Sequence, residues 1–199
     1  MEIRNATKQD CRAIAELALM AGEGIPAYFW AQAKRPDQTI EEVGAQNAAS
    51  ETENFSYRNV QVAIIDGHIA GMLLAYRLPA ADATEDLQDY PEFIRPLIEL
   101  EQCVPESFYI NMLATYPDFR NRAVGSQLME YASKLAAKAG CEKLSVEVFA
   151  QNEAALRLYQ RLGYTIVDKR PVIPHPCHPY TGDLVLLTKD VIAIEPIRH

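Results

Sequence analysis

Three stretches of this chain carry residue types that could do chemistry. The first is Arg120-Asn121-Arg122-Ala123-Val124-Gly125-Ser126, small residues and two arginines just ahead of a helical pattern. A helix start presents several unpaired N–H groups and about half a positive charge. Small side chains let a phosphate or pyrophosphate reach that backbone. The turn by itself leaves an ordinary helix cap open. The second is Asn152, Ala155 and Tyr159, at i, i+3 and i+7, which share one helical face. That face offers a polar cap, a small gap and a phenol, although a half-buried structural tyrosine would fit the same pattern. The third is Glu147, which alternates with Val146 and Val148. Its carboxylate faces away from the valines, where burial without a partner would be costly. If half-exposed, it would pair with a lysine.

The elements that must position these groups follow from periodicity. Phe108 to Ala114 is an apolar, aromatic run of strand length, broken by Pro117 and Asp118. Val124, Leu128, Tyr131, Ala132, Leu135 and Ala139 fall at helical spacing, and Gly140 ends that helix. Leu144, Val146 and Val148 alternate with Ser145, Glu147 and Phe149 as a strand. Asn152 then caps a helix that closes at Gly163.

Earlier in the chain, Glu2 to Arg4 reads as a strand, and Thr7 as the cap of a helix with Ile14, Leu17, Ala18 and Ala21 inside. Tyr28, Phe29 and Trp30 form an aromatic cluster on a short second helix. Residues 39–56 are polar, alanine-rich and partly helical. Asp66-Gly67 between two apolar runs predicts a two-residue hairpin. Residues 79–107 are crowded with acidic side chains: Asp82, Glu85, Asp86, Asp89, Glu92, Glu99, Glu101 and Glu106. Phe93, Leu97 and Leu100 place a short helix among them. Such a segment is either a solvated excursion or an acidic rim that steers a cationic substrate. Near the end, Thr165 to Lys169 and Leu184 to Thr188 read as partner strands. The loop between them holds His175, Cys177, His178 and Tyr180 among prolines. The prolines restrict convergence and no fourth ligand is apparent, so no metal site is expected.

The 199 residues suggest one domain, 49% hydrophobic and 23% charged. A net charge of −8 argues against nucleic-acid binding. No apolar run approaches about 18 residues and no leader pattern opens the chain, so neither a membrane span nor export is expected, and the location expected is cytoplasmic. Cys11, Cys103, Cys141 and Cys177 are scattered and suggest no disulfide framework.

Arg120-x-x-Ala123-x-Gly125, followed by Asn152-x-x-Ala155-x-x-Leu158-Tyr159-x-x-x-Gly163-Tyr164, resembles the GNAT family of N-acetyltransferases. The likeness runs loosely from Ile3 to Leu187. Where the family signature has its first glycine, this chain has Ala123. An alanine takes φ > 0 only at a cost, so the turn is expected to be helical there. The resemblance implies an α/β (α+β) fold with a mixed, mostly antiparallel sheet of six or seven strands, flanked by helices and splayed at its centre. Residues 108–164 would form the acetyl-CoA-binding core and residues 79–107 an insertion. It implies acetyl-CoA as cofactor, held by Leu113, Ala114, Thr115, Arg120, Asn121, Arg122, Ala123, Val124, Gly125, Ser126, Asn152 and Ala155. The Leu113 N–H would face the thioester oxygen. Tyr159 would protonate the leaving thiolate. A lysine-like amine is neutral in only about one molecule in a few thousand at pH 7, so a base is needed. Glu147 takes that role by the resemblance. Tyr28, Phe29, Trp30, His178 and Tyr180 would border the acceptor, an amine on a small molecule or on a peptide or protein N-terminus. A homodimer is compatible with the pattern. A non-catalytic acyl-CoA-binding module is the competing reading. Nucleotide binding is weaker, since the turn lacks the Lys-Ser/Thr of a P-loop.

Overall fold

The computed structural model describes residues 1–81 and 86–191, so Asp82 and Glu85 of the acidic stretch lie outside the described residues. Seven strands form one sheet: β1 (Glu2–Asn5), β2 (Val60–Ile65), β3 (His68–Arg77), β4 (Phe108–Thr115), β5 (Lys143–Phe149), β6 (Thr165–Pro171) and β7 (Asp183–Asp190), in the order β1-β2-β3-β4-β5-β7-β6. The helices are α1 (Cys11–Ala21), α2 (Ile25–Ala33), α3 (Ile40–Ala48), α4 (Arg95–Gln102), α5 (Val124–Lys138) and α6 (Glu153–Arg161). The β1–β2, β2–β3, β5–β7 and β6–β7 pairs are antiparallel, and β4–β5 is parallel. This is the mixed, mostly antiparallel α/β architecture expected. The chain divides into two compact units.

The first unit comprises Met1–Tyr76, Asn111–Met129 and His175–Pro179. Its hairpin turns at Asp66 and Gly67, both with positive φ (51° and 79°), as a two-residue turn that keeps the strand twist demands. Ile14, Leu17 and Ala18 of α1 bury completely with Val60, Val62, Met72 and Leu74. Thr7 caps a 3-10 turn before α1 rather than α1 itself. There the Asp10 carboxylate accepts from the Thr7 N–H at 2.7 Å, the Thr7 hydroxyl at 2.9 Å and both ends of the Arg4 guanidinium. Gly71 on β3 has a packing reason: a Cβ there would come within 2.4 Å of the Ala114 carbonyl oxygen and 3.1 Å of Val124. Its absence lets the end of β4 and the start of α5 lie against β3.

The second unit comprises Arg77–Ile110, Glu130–Pro174 and the residues from Tyr180 on. The β4–β5 ladder runs from Phe108↔Leu144 to Ile110↔Val146. β5 continues to Phe149, paired with β7 throughout. From Asn111 on, β4 belongs to the first unit. Helix α4, predicted from Leu97 and Leu100, packs over the β5–β7 surface: Leu100 is fully buried with Phe149, Leu184 and Leu186. Burying such a leucine contributes about 1.5–3 kcal/mol. Arg170 of β6 bonds Glu99 of α4 at 2.8 Å and Asp168 at 2.9 Å.

Candidate functional site

The start of α5 differs from expectation in one respect. Ala123 has φ +59° and Asn121 φ +60°, so the turn is left-handed at both, not helical at Ala123. The first α5 bond runs from the Gln127 N–H to the Ala123 carbonyl at 3.0 Å. Ala123 is therefore the residue at which the chain reverses into the helix, and the left-handed geometry is what the family's glycine would supply without strain. An alanine there costs about 1 kcal/mol. Ahead of Val124, residues Arg120 to Ala123 are exposed, with Gly125 and Ser126 half-buried behind them. The N–H groups of Val124, Gly125 and Ser126 precede the first helical donor, so the helix itself offers them no acceptor. The Arg122 guanidinium lies 5.7 Å from the Phe119 ring centroid. Leu113 and Thr115 are half-buried and Ala114 is in the core.

In the second unit, Asn152 caps α6, its side-chain oxygen accepting from the Ala155 N–H at 3.2 Å. Tyr159 is 7% exposed, its ring centroid 6.1 Å from that of Tyr164. The buried Tyr164 hydroxyl has no hydrogen-bond partner, and burial pushes its proton affinity up, with the neighbouring Tyr159 adding to the effect.

Glu147 does not pair with a lysine. Neither carboxylate oxygen makes a hydrogen bond and both are shut off from solvent, although the residue as a whole is only half-buried. Desolvation drives its pKa well above the ordinary glutamate value. The charge of Glu101 adds to the rise, and the Tyr109 hydroxyl opposes it, near enough to favour the charged form without making a well-formed bond. The register explains the setting. Glu147 opposes Leu186 on β7, and Ser145 opposes Tyr109 on β4, so Ser145, Glu147 and Phe149 line the face that α4 covers.

The residues expected at the acceptor divide. Trp30 is 6% exposed and presses on Gly44, where a Cβ would come within 2.3 Å of its ring; it belongs to the core. Tyr28 and Phe29 pack edge-on at 5.3 Å, with Phe29 38% exposed. Tyr28 also meets His175 edge-on at 4.8 Å, a contact that spacing in the sequence did not reveal. His178 is buried. The loop is fixed at Gly24 (φ +91°), where a Cβ would fall 1.8 Å from the Cys177 carbonyl oxygen. Tyr180, in the second unit, stacks on Phe149 at 4.5 Å and 13°. Tyr116 was also unanticipated: its hydroxyl donates to Glu16 at 2.8 Å. A cavity of about 540 Å³ in the second unit, lined by Arg77, Cys103, Ser107, Cys141 and Lys143, includes none of the expected site residues. Among the described residues, no helix is long and apolar enough to cross a membrane.

Comparison with known proteins shows the family and the fold. The profile of the "Acetyltransferase (GNAT) family" matches residues 26–164. The N-alpha-acetyltransferase MAK3 of Arabidopsis thaliana is 39% identical over 56 residues, 28% of this chain and 30% of that protein. The match thus spans under a third of that relative's length. Among solved structures, a Drosophila melanogaster polyamine N-acetyltransferase superposes with a TM-score of 0.67 at 17% identity, covering 95% of this chain and 99% of the other. The protein yncA of Salmonella typhimurium, solved with acetyl-CoA, gives 0.58 at 17% identity over 100% and 98%. At these identities the likeness to the solved structures is one of fold.

Proposed function

This chain belongs to the GNAT acetyltransferase family, and from that premise we propose that it moves an acetyl group from acetyl-CoA to an amine by direct attack. The observation that carries the proposal is the start of α5. An exposed turn, held left-handed at Asn121 and Ala123, precedes three N–H groups that the helix leaves without an acceptor. That arrangement suits a pyrophosphate, and Arg120 and Arg122 add charge. Acetyl-CoA supplies an activated acetyl group on a good leaving thiol.

The remaining roles belong to the chain's own residues. The N–H groups of Val124, Gly125 and Ser126 bind the anion, with Asn121 and Ala123 shaping the turn. Ala114, Thr115, Asn152 and Ala155 border the cofactor's arm. The Leu113 N–H donates to the carbonyl oxygen as charge develops on it. Glu147 takes the proton of the attacking amine, directly or through water. Burial raises its pKa, which makes the carboxylate a stronger proton acceptor than an exposed one. A C–N bond forms as the C–S bond breaks, and Tyr159 gives its proton to the departing sulfur. Tyr28, Phe29, His178 and Tyr180 border the acceptor. An amine acceptor is in keeping with the N-acetyltransferase relatives.

The test is Tyr159→Phe. The expected result is a fall of about ten-fold or more in kcat, with acetyl-CoA affinity within about two-fold of the parent. Unchanged kcat would remove Tyr159 from the acid role. Acetyl-CoA binding without thiol release on any amine would favour the non-catalytic module instead.

A further inference from the structure

We infer that Glu16 of α1 and Tyr116, the residue after β4, are a positioning pair whose hydrogen bond holds the phosphate turn in its anion-binding shape. This rests on the proposed activity and adds to it two residues that act through the turn.

Strain in the turn is the starting point. Asn121 and Ala123 both stand at left-handed φ, +60° and +59°, and neither is a glycine. Backbone in that state persists only where its surroundings fix it. On the far side the fixing element is α5, whose first residue, Val124, lies beside Gly71 of β3. On the near side, a 3-10 turn (Pro117–Phe119) and Arg120 link the strained residues to Tyr116. Tyr116 is held at three points. Its N–H donates to the Ala70 carbonyl of β3 at 2.9 Å, and its own carbonyl accepts from the Phe119 N–H at 3.0 Å. Its hydroxyl donates to Glu16 Oε2 at 2.8 Å, across 100 residues of sequence. The Phe119 ring in turn lies 5.7 Å from the Arg122 guanidinium. All of these groups belong to the first unit. The two backbone bonds need no particular side chain, so the phenol's bond is what a tyrosine adds. It is partly buried and made to a charged acceptor, which places it among the stronger hydrogen bonds. Burial, helped by the Glu16 carboxylate, raises the phenol's pKa and keeps it a donor. The other Glu16 oxygen accepts from Arg12 Nε at 3.3 Å, an exposed pair one helical turn apart that contributes little.

The experiment pairs calorimetric binding of coenzyme A with initial rates on acetyl-CoA and on S-acetylpantetheine, which lacks the pyrophosphate. Tyr116→Phe is expected to weaken coenzyme A binding about five-fold or more, to raise the KM for acetyl-CoA likewise and to leave kcat within about two-fold. Its kcat/KM on S-acetylpantetheine is expected to stay within about two-fold of the parent. Glu16→Leu should reproduce Tyr116→Phe, and the double variant should bind no more weakly than either single one. Glu16→Gln, which keeps an acceptor, should bind coenzyme A within about two-fold of the parent. Unchanged coenzyme A affinity in Tyr116→Phe, whatever its unfolding midpoint, overturns the inference and leaves the acetyltransferase reading intact. So does an equal loss on both thioesters, the mark of a general disruption. If Tyr116→Phe does not fold, Glu16→Leu decides by the same two readouts. An unmodified, folded protein that does not bind coenzyme A overturns both.

Discussion

A carboxyl group without hydrogen-bond partners is easier to bury neutral than charged, and Glu147 is in that position. Its folded pKa is raised, so its neutral form is tolerated at low pH and stability falls as pH climbs through the raised value. The groups facing it are Glu101 from α4 and Tyr109 from β4, with apolar Leu186 on β7. Glu147→Gln is therefore expected to be more stable than the parent at neutral pH, by about 1–3 kcal/mol. Denaturant titration at two pH values checks this, and a less stable variant would contradict it. The same substitution removes the base. Turnover should drop by about 10²–10⁴ and recover in part at high pH, where the amine loses its own proton. At Ala123 the expectation is different. With φ +59°, Ala123→Gly should gain about 1 kcal/mol and Ala123→Val should lose more than that, read by the same titration. The sequence showed which residue departs from the family's glycine. It could not show that the backbone keeps the glycine's conformation, because φ at one residue answers to packing distant in sequence, and the next residue, Val124, lies beside Gly71 of β3.

Among elements, those with strong local signals were legible. Asp66-Gly67 announced the β2–β3 hairpin, Gly140 the end of α5 and Asn152 the start of α6, because each answers a requirement of the adjacent backbone. The role of α4 was not legible. Leu97 and Leu100 announced a helix in the acidic segment, but what it covers depends on strands β5 and β7, distant in sequence. The link from β1 to α1 was missed for a related reason. Thr7 looked like a simple cap, whereas Asp10 gathers Thr7 and Arg4 at once. That network, with the Arg4 bond as its largest part, lowers the Asp10 pKa to about 2. The stability it contributes is present above the ordinary aspartate value and lost as pH falls through about 2. Asp10→Asn should cost about 2 kcal/mol at neutral pH, and the gap should close under acid. A pH-independent difference between the two proteins would contradict this account.

For the molecule as a whole, an acidic chain with a net charge of −8 and one exposed cluster of arginines at a helix start is expected to hold an anionic ligand locally. Acetyl-CoA at about 100 times its Kd should stabilise the fold by about 2.7 kcal/mol, whereas ATP should not shift the unfolding midpoint comparably. An equal shift with ATP would place the phosphate turn in another class of chemistry. The measurement that bears most directly on the account follows both products of one reaction. Purified protein is incubated with acetyl-CoA and each member of a panel of amines, and free thiol and acetylated amine are quantified together. Equal amounts of the two, formed only with protein and amine both present, are the predicted result. Thiol without acetylated amine, or neither from folded protein that binds acetyl-CoA, would contradict it.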